Sequence, residues 1–199
     1  MKTNKTIKEK EKHISFVLDE TGSMMSIKDK TIKDFNEYLQ SVKGKGEAIF
    51  TLTKFNSNKV EVVYEKKLKD VPELTKETYN PDAMTPLYDA IGKTIRALEK
   101  DTTREHLLIV LTDGLENASK EFNKDAITKL IAEKEKEGWA VIYLGVGKDA
   151  WGAGEKIGIL MSASTHTFGR AMNIGTGATK AFMSSGRSGT QYFMSKNKK

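Results

Sequence analysis

The sequence predicts an α/β protein: a three-layer sandwich built on a doubly wound, mostly parallel sheet with one antiparallel edge strand. Two continuous apolar runs, at residues 14–18 and 106–112, are typical of central parallel strands, which are covered on both faces. Helical patterns alternate with strand patterns through most of the chain, as in an α/β fold. Two further strand patterns flank a turn at residues 56–58 and predict a hairpin, which supplies the antiparallel edge strand.

Apolar periodicity and turn residues place the elements along the chain. A stripe at helical spacing marks each helix, and a short apolar or alternating run marks each strand. The predicted order is strand 14–18, helix 27–42, strands 48–55 and 60–64, helix 86–98, strand 106–112, helix 122–131, strand 139–146, a short helix 149–157, strand 165–168 and a final helix over about 170–183.

Glycine and proline support these boundaries. Gly44 and Gly138 follow two of the predicted helices, where glycine commonly ends a helix. Pro86 suits the first position of its helix, because the missing N–H has no intrahelical partner there. Asp89 lies in the first turn of the same helix, where a negative charge favours the helix dipole. We therefore interpret Asp89 as a structural residue.

Length and composition favour one sizeable globular domain. The chain has 199 residues, of which 38% are hydrophobic and 30% are charged, and it contains no cysteine. The lack of cysteine excludes a disulfide framework and thiolate chemistry. Residues 1–12 lack the apolar run of a signal peptide, and no apolar run is long enough to cross a bilayer. We expect a cytoplasmic protein of bacterial or phage origin with no membrane partner.

The positive charge is concentrated near the end of the chain. The net charge is +6, and residues 156–199 contain seven Lys or Arg and no Asp or Glu. Such asymmetry points to an acidic partner or to nucleic acid. We expect three parts: a flexible basic arm at 1–12, a domain at 13–185 and a mobile basic tail at 186–199. The tail is expected to add electrostatic affinity and little stability.

The first candidate site follows the first strand. Asp19, Thr21 and Ser23 offer one carboxylate and two hydroxyls at alternate positions of a short loop that opens a helix. Hard oxygen ligands at this spacing suit a hard divalent cation such as Mg²⁺. The same residue types are also common as helix caps, so this stretch alone leaves both interpretations open.

Two distant stretches favour the metal interpretation. Thr85 lies on a loop that enters a helix, and Asp113 ends the second apolar strand. Ligands of open parallel sheets bind outside the carboxyl ends of the strands, near the point where the strand order reverses. Asp19 and Asp113 both fall at such ends, and the loop that carries Thr85 is able to reach them.

These three stretches together resemble the von Willebrand factor A domain, the fold that is also the inserted domain of integrins. Its metal-ion-dependent adhesion site reads D-x-S-x-S, then a threonine, then an aspartate. Asp19, Thr21 and Ser23, then Thr85, then Asp113 match that pattern over about residues 13 to 168, with Thr21 in place of the usual serine.

The resemblance implies a divalent-metal-dependent protein-interaction module. Mg²⁺ or Mn²⁺ is the expected metal, and the five matched residues are its expected ligands. The metal then bridges to an Asp or Glu carboxylate of a protein partner. Glu116 and Asn117 follow Asp113 closely, and we expect them to support the site from outside the ligand set.

Two alternatives rank below this interpretation. A Mg²⁺-dependent hydrolase is one, but Thr21 occupies the position where phosphatases of the haloacid dehalogenase type carry their acid, and no base is evident. His13, His106 and His166 share no triad spacing with a nucleophile, so we expect no enzyme activity. The other alternative is nucleic-acid binding, with the basic C-terminal segment offering Phe182, Tyr192 and Phe193 for stacking on bases.

Overall fold

The computed structural model describes residues 10–148, 150 and 152–197. It contains six strands, five α-helices and two short 3₁₀-helices among these residues. The strands are β1 Lys12–Asp19, β2 Ala48–Asn56, β3 Lys59–Lys67, β4 Glu105–Thr112, β5 Ala140–Val146 and β6 Met161–Thr165. The helices are α1 Lys28–Lys43, α2 Leu87–Leu98, α3 Lys124–Lys136, α4 Ala153–Lys156 and α5 Phe168–Asn197, and the 3₁₀-helices are Gly22–Ile27 and Leu68–Asp70.

The six strands form one sheet in the order β3-β2-β1-β4-β5-β6. Strand β3 pairs antiparallel with β2, and all other neighbouring strands are parallel. The predicted fold class and its antiparallel edge strand are therefore confirmed. From β1 the chain moves first to β2 on one side and later to β4 on the other. The strand order thus reverses between β1 and β4, where an open α/β sheet has its binding crevice.

Each face of the sheet is covered by helices, because the central strands are apolar on both sides. The face of the sheet that carries Phe16 packs against α1 and α5. This core includes an aromatic cluster of Phe16, Phe35, Tyr38 and Phe50, whose ring centroids lie 5.2–6.5 Å apart. Val17 belongs to the other core, with residues of α2 and α3. The alternation of successive side chains along β1 therefore fills two separate cores.

The C-terminal segment differs from the expected mobile tail. Helix α5 continues to Asn197, with an interruption at Ser185 and Gly186. After the interruption the chain turns back, so that the ring of Phe193 lies directly against Gly177, where a Cβ would collide with it. Met194 is 1% exposed and belongs to the core. The prediction of a mobile tail is wrong for the described part of this segment, since these apolar side chains pack on the domain.

Two smaller differences concern the ends of the chain. Strand β6 lies at Met161–Thr165, whereas residues 165–168 were expected. Its serine and threonine side chains weaken the apolar signal, and Phe168 instead begins α5. The predicted arm at 1–12 falls mostly on residues 1–9, which lie outside the described residues, and Lys12 already belongs to β1. None of the helices in the described ranges has the length and apolar character needed to cross a bilayer.

Candidate metal centre

Asp19 is the buried end of the candidate centre. Strand β1 ends on this residue, whose side chain has no solvent exposure. One carboxylate oxygen accepts a hydrogen bond from the backbone N–H of Thr21 at 2.8 Å, and the other accepts one from the Thr112 hydroxyl at 2.5 Å. Burial raises the pKa of Asp19 to about 6, although the hydrogen bonds from Thr112 and Thr21 lower it, and the charge of Asp113 adds to the increase.

A chain of hydrogen bonds connects Asp19 to Asp113. The hydroxyl oxygens of Thr21 and Ser23 lie 3.2 Å apart, and the Ser23 hydroxyl donates to a carboxylate oxygen of Asp113 at 2.6 Å. Thr21 is buried, Asp113 is half-buried and Ser23 is exposed. Four of the five predicted ligands therefore meet across the ends of β1 and β4, and the cluster opens to solvent at Ser23.

Thr85 reaches the same cluster from the loop before α2. A Cβ placed on Gly114 would lie 3.4 Å from the Thr85 hydroxyl oxygen and 3.9 Å from that of Ser23. The absence of a side chain at Gly114 thus leaves room for both hydroxyls beside Asp113. Thr85 is held at its backbone, because its N–H donates to the Asn117 side-chain oxygen at 2.8 Å and its carbonyl accepts from the Asn117 N–H at 3.0 Å.

Asn117 and Glu116 have different tasks. Asn117 positions Thr85 directly, as the previous contacts show. The Glu116 carboxylate accepts hydrogen bonds from the backbone N–H groups of Tyr88, Ala118 and Ser119 and from the Ser119 hydroxyl. It therefore holds the loop after β4 against the start of α2.

Asp89 holds the later part of the loop between β4 and α3. Its two carboxylate oxygens accept from the backbone N–H groups of Lys120, Glu121 and Phe122 at 2.9–3.0 Å. The side chain is 6% exposed. Asp89 is thus used inside the fold, in agreement with the structural interpretation, although its partners belong to a neighbouring loop.

The loop before Thr85 is attached to the end of β1 by hydrogen bonds to and from the backbone. The Tyr79 hydroxyl donates to the carbonyl of Asp19 at 2.6 Å. The Asp82 N–H donates to the Glu20 carbonyl at 3.0 Å, and the Gly22 N–H donates to the Ala83 carbonyl at 2.9 Å. These contacts bring the loop that carries Thr85 to the loop that carries Thr21 and Ser23.

A buried ion pair strengthens that attachment. The Lys54 ammonium lies 2.6 Å from a Glu20 carboxylate oxygen, and both side chains are buried. Glu20 also accepts from the Asn80 N–H at 2.7 Å, and Lys54 donates to the Thr78 carbonyl at 2.6 Å. Sequence reasoning missed this pair, because only the parallel register of β1 and β2 brings residues 34 positions apart together.

The donor chemistry of the cluster fits a hard divalent cation. Two carboxylates and three hydroxyls offer only oxygen, which Mg²⁺ and Mn²⁺ prefer. A cation beside Asp19 would offset the cost of burying its charge. Three or more His, Cys, Asp or Glu side chains do not group around a common metal position anywhere in the described residues. The cluster has only two carboxylates and relies on hydroxyls for the rest.

Two of the three histidines lie away from the cluster, and two of the three aromatic side chains considered for base stacking pack in or against the core. His13 and His106 lie near the starts of β1 and β4, at the edge of the sheet opposite the cluster. Phe182 is fully buried, and Phe193 packs against the core. Tyr192 remains exposed and has the Lys196 ammonium 5.7 Å from its ring centroid. Phe182 and Phe193 are therefore not free to stack on bases.

Fold and cluster together define an α/β domain with an oxygen-rich cluster of side chains at the switch point of its sheet. The model of the von Willebrand factor type A domain family matches residues 13–177. The chain belongs to this family, and that part of the predicted resemblance is confirmed. None of the curated proteins matches the chain.

Solved structures share the fold at low sequence identity. The vWF domain of the type V pili tip protein Mfa5 from Porphyromonas gingivalis aligns with TM-score 0.64 and 10% identity over 84% of this chain and 94% of that one. The PilB minor pilin from Streptococcus sanguinis aligns with TM-score 0.61 and 13% identity over 94% of this chain and 62% of the pilin chain. A von Willebrand factor type A protein from Catenulispora acidiphila aligns with TM-score 0.58 and 12% identity over 89% of this chain and 43% of that protein. The chain thus spans less than two thirds of the last two structures.

Proposed function

We propose that this chain is a divalent-metal-dependent protein-interaction module. Mg²⁺ or Mn²⁺ is the proposed metal, and its proposed ligands are Asp19, Thr21, Ser23, Thr85 and Asp113. The observation that carries the proposal is the hydrogen-bonded chain from Asp19 through Thr21 and Ser23 to Asp113, beside the Thr85 hydroxyl. These groups come from three separate loops and meet at the switch point of the sheet.

The charge of the ligand set favours a carboxylate partner. Asp19 and Asp113 balance the 2+ charge of the metal, and the hydroxyls add no further charge. A metal of this kind remains attractive to one more anionic oxygen. The exposed position of Ser23 and the half-buried position of Asp113 leave the solvent side of the cluster accessible. An Asp or Glu side chain of a partner protein is therefore the proposed additional ligand.

The solved neighbours support an interaction role. Two of them are a domain of a pili tip protein and a minor pilin. Binding, with no catalytic step, is accordingly what we propose for this chain. A cytoplasmic location and a bacterial or phage source remain predictions from the sequence.

Thermal denaturation with metal and with chelator tests the proposal. A ligand that binds only the native state raises the melting temperature. We expect Mg²⁺ and Mn²⁺ to raise it relative to EDTA, and Ser23→Ala to reduce that shift. Ser26→Ala, which removes a hydroxyl from the same 3₁₀-helix outside the proposed ligand set, is the matched control. Identical melting curves with metal and with EDTA would refute metal binding.

A further inference from the structure

Three large apolar side chains are exposed on the loops that carry the proposed ligands. Met25 follows Ser23 by two positions, Met84 precedes Thr85, and Leu115 follows Asp113 by two positions. Their exposed fractions are 55%, 52% and 48%. We call Met25, Met84 and Leu115 the apolar rim.

Two of the exposed rim residues have a neighbour in the chain that is directed into the fold. Glu116, a charged residue, turns inward and accepts four hydrogen bonds from the fold, whereas its neighbour Leu115 is exposed. In the 3₁₀-helix, Met24 is fully buried and Met25 is exposed. The usual preference, with charge outside and apolar groups inside, is reversed at Leu115 and Glu116.

The backbone beneath the rim is fixed by hydrogen bonds. The Met84 N–H donates to the Ser57 hydroxyl at 3.1 Å, and the neighbouring Thr85 is held by Asn117. The Gly114 N–H, next to Leu115, donates to the Thr112 hydroxyl at 3.1 Å. A partner that binds here would therefore pay little to order these loops, which favours binding.

Exposure of the rim contributes little to folding. Half-exposed apolar side chains gain only part of the free energy that full burial provides, while grouped apolar surface is typical of an interaction site. The proposed ligands Ser23, Thr85 and Asp113 lie within two positions of the rim residues along the chain. A divalent cation bound by these ligands would balance the charges of Asp19 and Asp113. The complementary surface is then a single carboxylate with apolar groups on either side.

We propose that the apolar rim binds a protein segment in which an Asp or Glu is flanked by bulky apolar residues. This proposal rests on the proposed function, because the carboxylate binds the metal. Apolar contacts around a polar centre exclude water, and the lower local dielectric strengthens the bond between carboxylate and metal. Two of the three rim residues are methionines, whose flexible side chains adapt to different apolar partners.

Selection from a random displayed peptide library tests the composition of the partner. The full chain is the bait, binding is done with Mg²⁺, and bound peptides are eluted with EDTA. We expect enrichment of Asp or Glu with Leu, Ile, Phe, Met or Trp at adjacent positions. Replacing the acidic residue of a selected peptide by its amide should abolish binding. Enrichment of acidic residues without apolar neighbours, or failure to enrich acidic peptides although Mg²⁺ raises the melting temperature, overturns the proposal.

A matched pair of triple variants tests the rim itself. The rim variant carries Met25→Ser, Met84→Ser and Leu115→Ser. The control carries Val62→Ser, Leu160→Ser and Tyr192→Ser, which are exposed apolar side chains elsewhere. We expect the rim variant to keep the Mg²⁺-dependent melting shift and to bind the selected peptides at least about tenfold more weakly, with less than about a twofold change in the control.

The outcomes separate this proposal from the proposed function. No melting shift with Mg²⁺ or Mn²⁺ in the wild-type chain refutes the metal-dependent module. A retained shift with unchanged peptide affinity in the rim variant refutes only the role of the rim. Two further controls are sedimentation of the chain alone and binding to phosphatidylcholine–phosphatidylserine vesicles. If no peptide is selected and the rim variant loses self-association or vesicle binding that the wild type shows, the proposal is overturned, because the rim would then serve another partner.

Discussion

At the scale of single residues, Asp19 and Asp113 occupy contrasting environments. Asp19 is fully buried and accepts hydrogen bonds from Thr21 and Thr112, so its removal would leave donors unpaired in the core. Asp113 is half-buried and accepts from the exposed Ser23 hydroxyl. Asp113 is therefore the ligand at which metal binding is most readily separated from folding.

Asp113→Ala should abolish metal-dependent binding while leaving the fold intact. Removing one of two carboxylates relieves repulsion in the metal-free cluster, so the melting temperature in EDTA should change by only a few degrees. The Mg²⁺-dependent shift should disappear. Asp125→Ala, at an exposed carboxylate in the first turn of α3, is the matched control. An Asp113→Ala protein that does not fold would show that Asp113 is a structural residue.

The sequence was sufficient to predict which proposed ligands lie close together, but not which other residues hold these ligands in place by hydrogen bonds. Asp19, Thr21, Ser23, Thr85 and Asp113 follow strand ends or precede a helix, and strand ends of a parallel sheet share one edge. Their proximity was therefore predictable from local patterns. Thr112 and Tyr79 contact Asp19 only because of strand register and loop docking, which local patterns do not specify.

At the scale of elements, the Glu20–Lys54 pair connects β1, β2 and the loop before Thr85. Lys54→Met should lower the free energy of unfolding by about 3–5 kcal/mol, because it leaves the Glu20 carboxylate buried without its counter-ion. Urea denaturation measures this loss. The double variant Glu20→Gln with Lys54→Met should recover part of it, since no buried charge then remains. A loss below about 1 kcal/mol for Lys54→Met would contradict the structural role of the pair.

A buried histidine pair lies near the starts of β1 and β4, at the end of these strands opposite the cluster. The rings of His13 and His106 have centroids 5.3 Å apart, and His106 stacks on Trp139 at 4.2 Å. Burial lowers the pKa of His13 from 6.5 to about 3, with further lowering by His106 and Arg104, against which Asp101 raises it. Burial also lowers the pKa of His106, although its hydrogen bond to the Asp101 carbonyl and the Asp101 charge raise it.

This pair should make the protein less stable in acid. Because the folded pKa lies below the unfolded one, the stability that neutral His13 contributes is complete above pH 6.5 and is lost as the pH falls toward about 3. Unfolding free energies measured in urea should therefore fall by up to about 1.4 kcal/mol per pH unit below 6.5 for each such histidine. His13→Gln should reduce that slope. An unchanged slope in His13→Gln would exclude His13 as its cause.

At the scale of the whole molecule, the fold class could be predicted from the sequence and the C-terminal packing could not. Apolar runs, the hairpin and the alternation with helices were enough to predict a doubly wound sheet, since connection rules leave few arrangements. The last segment has Gly, Ser and Lys in place of a strong apolar stripe, which is typical of a tail. Close approach at Gly177 and Gly189, visible only in three dimensions, allows it to pack as a helix.

The packed C-terminal segment leads to a stability prediction opposite to that for a tail. Deletion of residues 187–199 removes Met194 and Phe193 from the core that contains Phe182. Loss of one buried methionine alone costs about 2–5 kcal/mol, so the deletion should lower the melting temperature by about 10 °C or more.

Point variants distinguish this packing from a general effect of shortening the chain. Met194→Ala should cost about 2–5 kcal/mol in urea denaturation, because Met194 is 1% exposed. Tyr192→Ala, at a position 69% exposed on the same helix, should stay within about 0.5 kcal/mol of the wild type. If Met194→Ala is as harmless as Tyr192→Ala, the segment after Gly186 contributes no core packing in solution, and the basic charges of this end are then free to act as a mobile extension.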